Sequence, residues 1–562
     1  MNGSQVIAES LVQLGVEHIF GIVGIPVIEV ADACIARGIK FIGFRNEQSA
    51  SYAASIYGYL SGKPGVCLTV GGPGVLHALA GVGNAQSNCF PLLLLAGSVD
   101  VHNTHKGGFQ ELDQVAAVTE YTKFAARPSS TDALPFLLEK AYRTAYFGRP
   151  GATYVDLPAN IIQSKDNDQV SFGVLQRLRN VPAPRSAGDP AKIAEAAALI
   201  RASKFPLLVI GKGAAYAKAE PTIRRFQEST NIQFLPTPMG KGVISDSNPG
   251  NMSACRSQAL KNADVVILVG TRLNWILHYG DAPKYSENTK FIHIDVCAEE
   301  LGNNAGQAEL GILGDASLVI GQLEDVLKGW KSPALAPEIA AKREKNVQNA
   351  TKKEADHSVP LKYFGVFASI QKTIAEIAKD RKLVIVSEGA NTMDNSRSVF
   401  GHVEPRTRLD AGTNATMGVG LGYAIAAKAY DPKSLVVAVE GDSAFGFSAI
   451  EVETAVRDNL PMVIYVMNNS GIYHGVDPAR YTDGQPLPST ALSLDTRYDV
   501  LAESLGAKGY FVKNIEELEV ATKSAVQSNR VCVINVIIES GKDQKLEFGW
   551  MASEKKKEKS KL

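Results

Sequence analysis

Two apolar, β-branched runs in the last third of the chain each end abruptly in a small polar cluster. Leu435-Val436-Val437-Ala438-Val439 runs into Glu440-Gly441-Asp442-Ser443, and Met462 to Met467 runs into Asn468-Asn469-Ser470-Gly471. Between them, Ile450 to Asn459 reads as a helix. Parallel strands joined by a helical crossover lie side by side, with their carboxyl ends at one edge. The pattern therefore predicts Asp442 and Asn469 as neighbours, although 27 positions separate them. A carboxylate, an amide oxygen and a nearby main-chain carbonyl form a hard-oxygen set suited to Mg²⁺, which keeps places for phosphate oxygens. The expectation is a holder for magnesium and a diphosphate-bearing cofactor.

The same grammar recurs along the chain. At 562 residues the protein has room for three or four domains. Over 1–165, the runs Phe41 to Phe44, Gly65 to Val70 and Pro91 to Ala96 alternate with alanine-rich helical stretches. A polar, proline-bearing stretch from Ser164 to Pro190 reads as a linker. Over 190–335, Pro206 to Gly211, Val265 to Gly270 and Phe291 to Asp295 repeat the strands, and Glu338 to Asp356 reads as a solvated helical connector. A third segment, 358–545, begins its sheet at Leu383 to Val386. Strands alternating with helices predict an α/β protein of three doubly wound parallel-sheet domains. Glycine clusters follow several strands, at Gly71-Gly72-Pro73-Gly74, Gly211-Lys212-Gly213 and Gly418 to Gly422. They suit either phosphate approach to main-chain amides or plain tight turns.

The formal net charge is zero, so no global field draws in nucleic acid or an anionic membrane. The longest apolar run, Phe90 to Val99, is too short to span a bilayer. Six scattered cysteines without a CxxC pair argue for a reducing compartment, and all six read as buried core residues. The amino terminus lacks a secretory pattern and leads into an amphipathic helix. At the other end, residues 551–562 read as an exposed lysine-rich tail that stops at Ser560-Lys561-Leu562, a peroxisomal address read by an import receptor.

Taken together, these residues resemble the thiamine diphosphate enzymes, over essentially the whole chain. Gly441-Asp442-Ser443 with Asn468-Asn469 is similar to their cofactor motif, with serine where glycine is usual. Phe44 to Ala50, Gly211 to Ala217, Arg272 to Trp275, Ser387 to Asp394 and Gly441 to Ser448 resemble the oxalyl-CoA decarboxylase and 2-hydroxyacyl-CoA lyase branch. Tyr121 to Phe124, Leu235 to Gly242 and Cys297 to Asn304 are more similar to the lyases. The resemblance implies a pyrimidine-binding domain (1–165), a central Rossmann-like domain (190–335) and a diphosphate-binding domain (358–545). It also implies a homodimer or homotetramer with sites between subunits. The implied reaction cleaves a 2-hydroxyacyl-CoA into formyl-CoA and an aldehyde one carbon shorter, as in fatty acid α-oxidation; the alternative is oxalyl-CoA decarboxylation.

The same resemblance assigns residues. Glu47, which on sequence alone also suits a helix dipole, would hydrogen-bond the cofactor's pyrimidine ring and favour the imino tautomer that deprotonates the thiazolium carbon, with Gln110 as a second catalytic candidate. Asp442, Asn469 and the Gly471 carbonyl would hold Mg²⁺. Tyr363, Ala390, Asn391, Thr392, Ser443, Ala444 and Tyr473 would surround the diphosphate, and Ala415, Thr416, Met417 and Gly418 the rest of the cofactor. Ile25 and Phe109 would line the reaction centre, where Glu111 suits either substrate contact or structure. Asn346, Arg397, Ser398, Ser540, Gly541 and Lys542 would meet the CoA thioester arm. Arg149, Lys212, Arg272, Asp295 and Asp315 match a nucleotide site, though each basic residue also suits a plain surface charge. Asn414 and His474 depart from the family pattern beside the cofactor.

Overall fold

The computed structural model describes residues 1–165 and 175–540. The Gly541, Lys542 and Ser560-Lys561-Leu562 expectations lie outside the described residues. Three wholly parallel sheets organise the chain. The first comprises β1 (His18–Gly21), β2 (Lys40–Gly43), β3 (Gly65–Thr69), β4 (Leu92–Ser98), β5 (Phe124–Ala126) and β6 (Ala152–Pro158), in the order β2-β1-β3-β4-β6-β5. The second holds β7 (Pro206–Ile210), β8 (Gln233–Pro236), β9 (Val265–Val269), β10 (Lys290–Asp295) and β11 (Gly311–Leu313), ordered β11-β10-β9-β7-β8. The third holds β12 (Leu383–Glu388), β13 (Arg408–Asp410), β14 (Leu435–Gly441), β15 (Val463–Asn468), β16 (Lys508–Val512) and β17 (Cys532–Ile537), ordered β13-β12-β14-β15-β17-β16.

Central strands such as Leu92–Ser98 and Val463–Asn468 are buried along their whole length, which is why they read as continuous apolar runs rather than alternating ones. Each sheet has a reversal of strand order near its middle, between β1 and β3, between β7 and β9, and between β12 and β14. Ligands of open α/β sheets settle in the crevice at such a reversal, outside the strands' carboxyl ends.

The outer two sheets are packed together through helices. Helix Gly420–Tyr430 lies against helix Glu47–Ser61 so closely that a Cβ on Gly422 would sit 2.8 Å from the Ser49 carbonyl oxygen. Phe20, Tyr52, Val386, Tyr423 and Ala438 share one continuous core across that seam. The middle sheet has its own core, around Ile210, Ile267 and Ile292, and is tied to the third unit by the Arg406–Glu220 ion pair at 3.0 Å.

The crossover read from sequence at 450–459 is the helix Glu451–Arg457, preceded by a short helix Asp442–Ser448. The charged connector is the helix Pro337–Glu354, with Ile339 its buried residue. The cysteine expectation needs correcting. Cys34, Cys67, Cys255 and Cys532 are buried, but Cys89 and Cys297 are half-exposed and accept hydrogen bonds from Arg149. Cys89 ends a helix in a left-handed conformation and borders a cleft, and Cys297 follows a strand end, so neither is packed into a core. Among the described residues, no helix is long and apolar enough to cross a membrane.

Candidate active site

β14 and β15 pair directly, Gly441 against Met467, so the polar clusters that follow them emerge together. The Gly471 amide donates to Asp442 Oδ2 at 3.1 Å and to Asn469 Oδ1 at 3.2 Å. Asp442 Oδ1 accepts the Ser443 amide at 2.7 Å. Asp442 is 2% exposed, and among the described residues main-chain amides rather than a cationic side chain offset its burial. Burial pushes its carboxyl up to about 6 against the pull of these amides. A buried carboxylate with no cation beside it suits a metal ion, and the flanking donors are oxygens of the hard type Mg²⁺ prefers. The residues present therefore fit the expected group.

The neighbouring strand ends complete the surroundings. After β12, Gly389 (φ 88°) lets the chain pass close to Gly441 before the helix Ala390–Val399 begins. Asn391 Nδ2 donates to the Tyr473 carbonyl at 2.9 Å and lies 2.8 Å from His474 Nδ1, while Asn469 Nδ2 donates to the same carbonyl at 3.2 Å. Thr392 hydrogen-bonds Tyr363, whose hydroxyl is pushed above its usual range by burial. Asn391, Thr392, Tyr363, Asp442, Ser443, Asn469 and Tyr473 thus come to one sheet edge. Ala444 sits behind it, buried. The loop after β13 brings Ala415 (φ 50°), Thr416 and half-exposed Met417 to the same side, with Asn414 turned to Ser87 Oγ at 2.6 Å.

Two carboxylates that sequence reasoning gave no role underpin this edge. Glu388 and Glu440 face each other in register on β12 and β14, both fully buried. Glu388 accepts the amides of Gly418 and Gly420, the latter at 2.6 Å, so it fixes the loop carrying Met417. Burial holds both carboxyls above the usual range, and Glu388 raises Glu440 further. The available signal was a carboxylate at the end of each apolar run; what linked them was the strand order.

Glu47 opens the helix Glu47–Ser61 after the Asn46 cap, in the first unit. Its Oε2 lies 3.0 Å from His77 Nδ1. Ile25, Phe109 and Gln110 line one cavity of about 370 Å³ with Gly71, Gly97 and Ser98. Ile25 and Phe109 are 72% and 77% exposed, so this apolar mouth is open in the single chain. Gln110 adopts φ 54° with its carbonyl pressed on Gly72. Glu111 accepts the amides of Gly108, at 2.8 Å, and of His105, bonds that hold its carboxyl low and fold the loop.

Arg149, Lys212, Arg272, Asp295 and Asp315 all line a second cavity, of about 870 Å³, at the β7/β9 reversal. Arg149 pairs with Glu300 at 2.9 Å, and Arg272 donates to the Ser87 carbonyl at 2.6 Å. Asp315 caps the helix Ala316–Val326 and pairs with Arg185, so its contacts here are architectural. Gly211 and Gly213 press on Gly270, a close approach of loops that accounts for these glycines. Asn346, Arg397, Ser398 and Ser540 line neither cavity. Asn346 donates to the Ala254 carbonyl at 2.8 Å, while Arg397 pairs with Asp394, and Ser398 Oγ lies 3.5 Å from the Asp394 carbonyl.

Comparison with known proteins places this geometry. Residues 1–117 match the N-terminal TPP binding domain of thiamine pyrophosphate enzymes, 193–323 their central domain, and 388–536 their C-terminal TPP binding domain. The chain belongs to the thiamine pyrophosphate enzyme family. Within that family it is 45% identical to 2-hydroxyacyl-CoA lyase 1 of Mus musculus, covering 98% of this chain and 96% of the relative. It is 46% identical to the 2-hydroxyacyl-CoA lyase of Saccharomyces cerevisiae, covering 97% and 98%. Identity to the oxalyl-CoA decarboxylase of Escherichia coli is 39%, covering 96% and 95%. The two matched TPP binding domains overlap the terminal sheets, and residues 1–117 include Glu47 while 388–536 include the Asp442–Gly471 edge.

Proposed function

We propose that this chain is a carbon–carbon lyase that cleaves 2-hydroxyacyl-CoA to formyl-CoA and an aldehyde one carbon shorter, with thiamine diphosphate and Mg²⁺. The observation that carries the reading is 45–46% identity, over nearly the whole length, to proteins named 2-hydroxyacyl-CoA lyase, against 39% to oxalyl-CoA decarboxylase. Bound thiamine diphosphate supplies a nucleophilic carbon and takes up the electron pair released when the bond between carbons one and two breaks.

The chain's own residues bind, orient and exclude water. Asp442, Asn469 and the Gly471 carbonyl would hold Mg²⁺, and the amides of Ser443 and Ala444, at a helix amino terminus, would face the diphosphate. Glu47 would hold a proton at the pyrimidine ring; a charge-assisted bond gains strength where water is excluded. Ile25 and Phe109 offer apolar cover for the reaction centre, and Gln110 an amide for a substrate oxygen. The central cavity, whose lining includes the cationic side chains of Arg149, Lys212 and Arg272, suits a nucleotide diphosphate. A second copy of the chain would bring the other terminal sheet to each site. Ser560-Lys561-Leu562 would send the protein to the peroxisome through its import receptor.

The test is a mass-spectrometric product assay on protein loaded with thiamine diphosphate and Mg²⁺, with 2-hydroxyhexadecanoyl-CoA and oxalyl-CoA in parallel. Pentadecanal with formyl-CoA, absent from Glu47→Gln, supports the lyase. Carbon dioxide and formyl-CoA from oxalyl-CoA alone would replace it with the decarboxylase.

A further inference from the structure

Glu47 has a partner that no family resemblance supplied. Helix Pro73–Asn88 starts after Gly71-Gly72 and packs alongside helix Glu47–Ser61, placing His77, one turn in, with Nδ1 3.0 Å from Glu47 Oε2. A hydrogen bond between an ionised carboxylate and imidazole needs the hydrogen on the ring, because the carboxylate only accepts. The contact therefore assigns Nδ1–H to His77. Gly74, one turn earlier on the same helix face, borders the other oxygen: a Cβ there would lie 3.6 Å from Glu47 Oε1. One carboxylate oxygen is thus pinned by a side chain, and the other lies against a residue without one. Glu47 is 14% exposed and His77 61%, so the pair sits at the open face of the first unit rather than inside its core.

We propose that His77 is a positioning residue for Glu47: by donating Nδ1–H to Oε2 it selects one carboxylate rotamer and keeps Oε1 open to the cofactor's pyrimidine ring. This rests on the reading of Glu47 as the base. A glutamate at a helix start otherwise spreads over several rotamers, and fixing it in advance removes that entropy from the proton-transfer step. The requirement is for a donor at this point rather than for an imidazole. Asparagine reaches the same place, since its Nδ2 is as many bonds from the backbone as Nδ1 of histidine. Leucine fills similar space without a donor.

The experiment compares His77→Leu, His77→Asn and Glu47→Gln in the full-length protein. Exchange of the cofactor's acidic thiazolium hydrogen with deuterated water is followed by NMR without substrate. Thiamine diphosphate affinity is read from tryptophan fluorescence in the presence of Mg²⁺, and kcat and KM come from the product assay. The expectation for His77→Leu is a loss in exchange rate and kcat of roughly 10- to 100-fold, the size expected of a misplaced catalytic group. Its KM for the thioester and its cofactor affinity stay within about threefold, and His77→Asn recovers most of the loss. Equal impairment of the asparagine and leucine variants overturns the proposal, as does wild-type exchange in His77→Leu. If Glu47→Gln still exchanges normally, the base assignment itself falls and His77 with it. If Glu47→Gln is silent and His77→Leu is normal, only the His77 role is lost. Should His77→Leu fail to fold, His77→Ala at this exposed helical position takes its place in the comparison.

Discussion

Glu451, fully buried in the diphosphate-side unit, takes the main-chain amide of Arg45 on both carboxylate oxygens at 3.2 Å, two residues ahead of Glu47. Thr454 Oγ1 adds a bond to Oε2 at 2.6 Å. One carboxylate thereby ties the chain entering the Glu47 helix to the helix that follows Asp442.

Burial pushes the Glu451 carboxyl up from 4.5 to about 7, with the bonds from Thr454 and Arg45 opposing it. A carboxyl whose value is higher in the folded than in the unfolded state favours folding while neutral. Its contribution is complete below about 4.5 and is lost as pH rises through about 7. The loss is on the order of 3 kcal/mol for a shift of this size. Urea unfolding of wild type and Glu451→Gln at several pH values should show the difference between them changing across that window and flat outside it. Parallel curves at all pH values would remove Glu451 as the source.

Gly420 tests the paired carboxylates beneath the cofactor loop. A Cβ there would meet Glu440 Oε1 at 2.3 Å and Glu388 Oε2 at 2.9 Å, inside contact distance for both. Gly420→Ala should destabilise the protein by about 1–3 kcal/mol, as overpacking does. It should also weaken thiamine diphosphate binding about tenfold, by moving the amides that Glu388 holds. Unfolding and cofactor titration measure the two effects separately; an unchanged cofactor affinity would detach this loop from the binding site.

Asp442 contributes the one carboxylate of the expected metal set. Asp442→Ala should leave the fold intact while cofactor binding becomes insensitive to Mg²⁺, with affinity lower by about 100-fold or more. Chelation of wild type should reproduce that weakening, and added Mg²⁺ should reverse it. Calorimetric titration at fixed thiamine diphosphate distinguishes this from a general loss of structure.

How far the sequence disclosed this arrangement depends on the range over which each feature is determined. Asp442 and Asn469 were legible as neighbours because one crossover joins consecutive strands, and such strands pair in parallel. The Glu388–Glu440 register was not, because β12 and β14 meet only after the chain has left for β13 and returned. Glu451 at Arg45 and His77 at Glu47 were hidden for the same reason: each links helices whose mutual packing no local pattern specifies. Cys89 and Cys297 read as core because cysteine usually is, whereas the guanidinium between them arises from three segments that converge only in the folded chain.

The central cavity yields the last prediction. Lys212 Nζ donates to Asn88 Oδ1 and lies 5.2 Å from the Phe90 ring centre. Burial lowers its ammonium to about 8; Arg272 and Arg149 lower it further, while Cys89 and Asp410 act in the opposite direction. Near pH 7 the lysine is therefore a cation that a diphosphate can use, and above about 8 it becomes neutral and forfeits that attraction. If this cavity takes a nucleotide diphosphate, ADP affinity should fall several-fold between pH 7 and 9. A bound polyanion would itself raise the lysine's value, so the fall should come at higher pH as ADP saturates. Calorimetric titration of wild type and Lys212→Met tests this, since the methionine variant should bind more weakly at pH 7 and show little further loss. An equal fall in both proteins would place the titrating group elsewhere, and undetectable ADP binding in wild type would assign the cavity to another ligand.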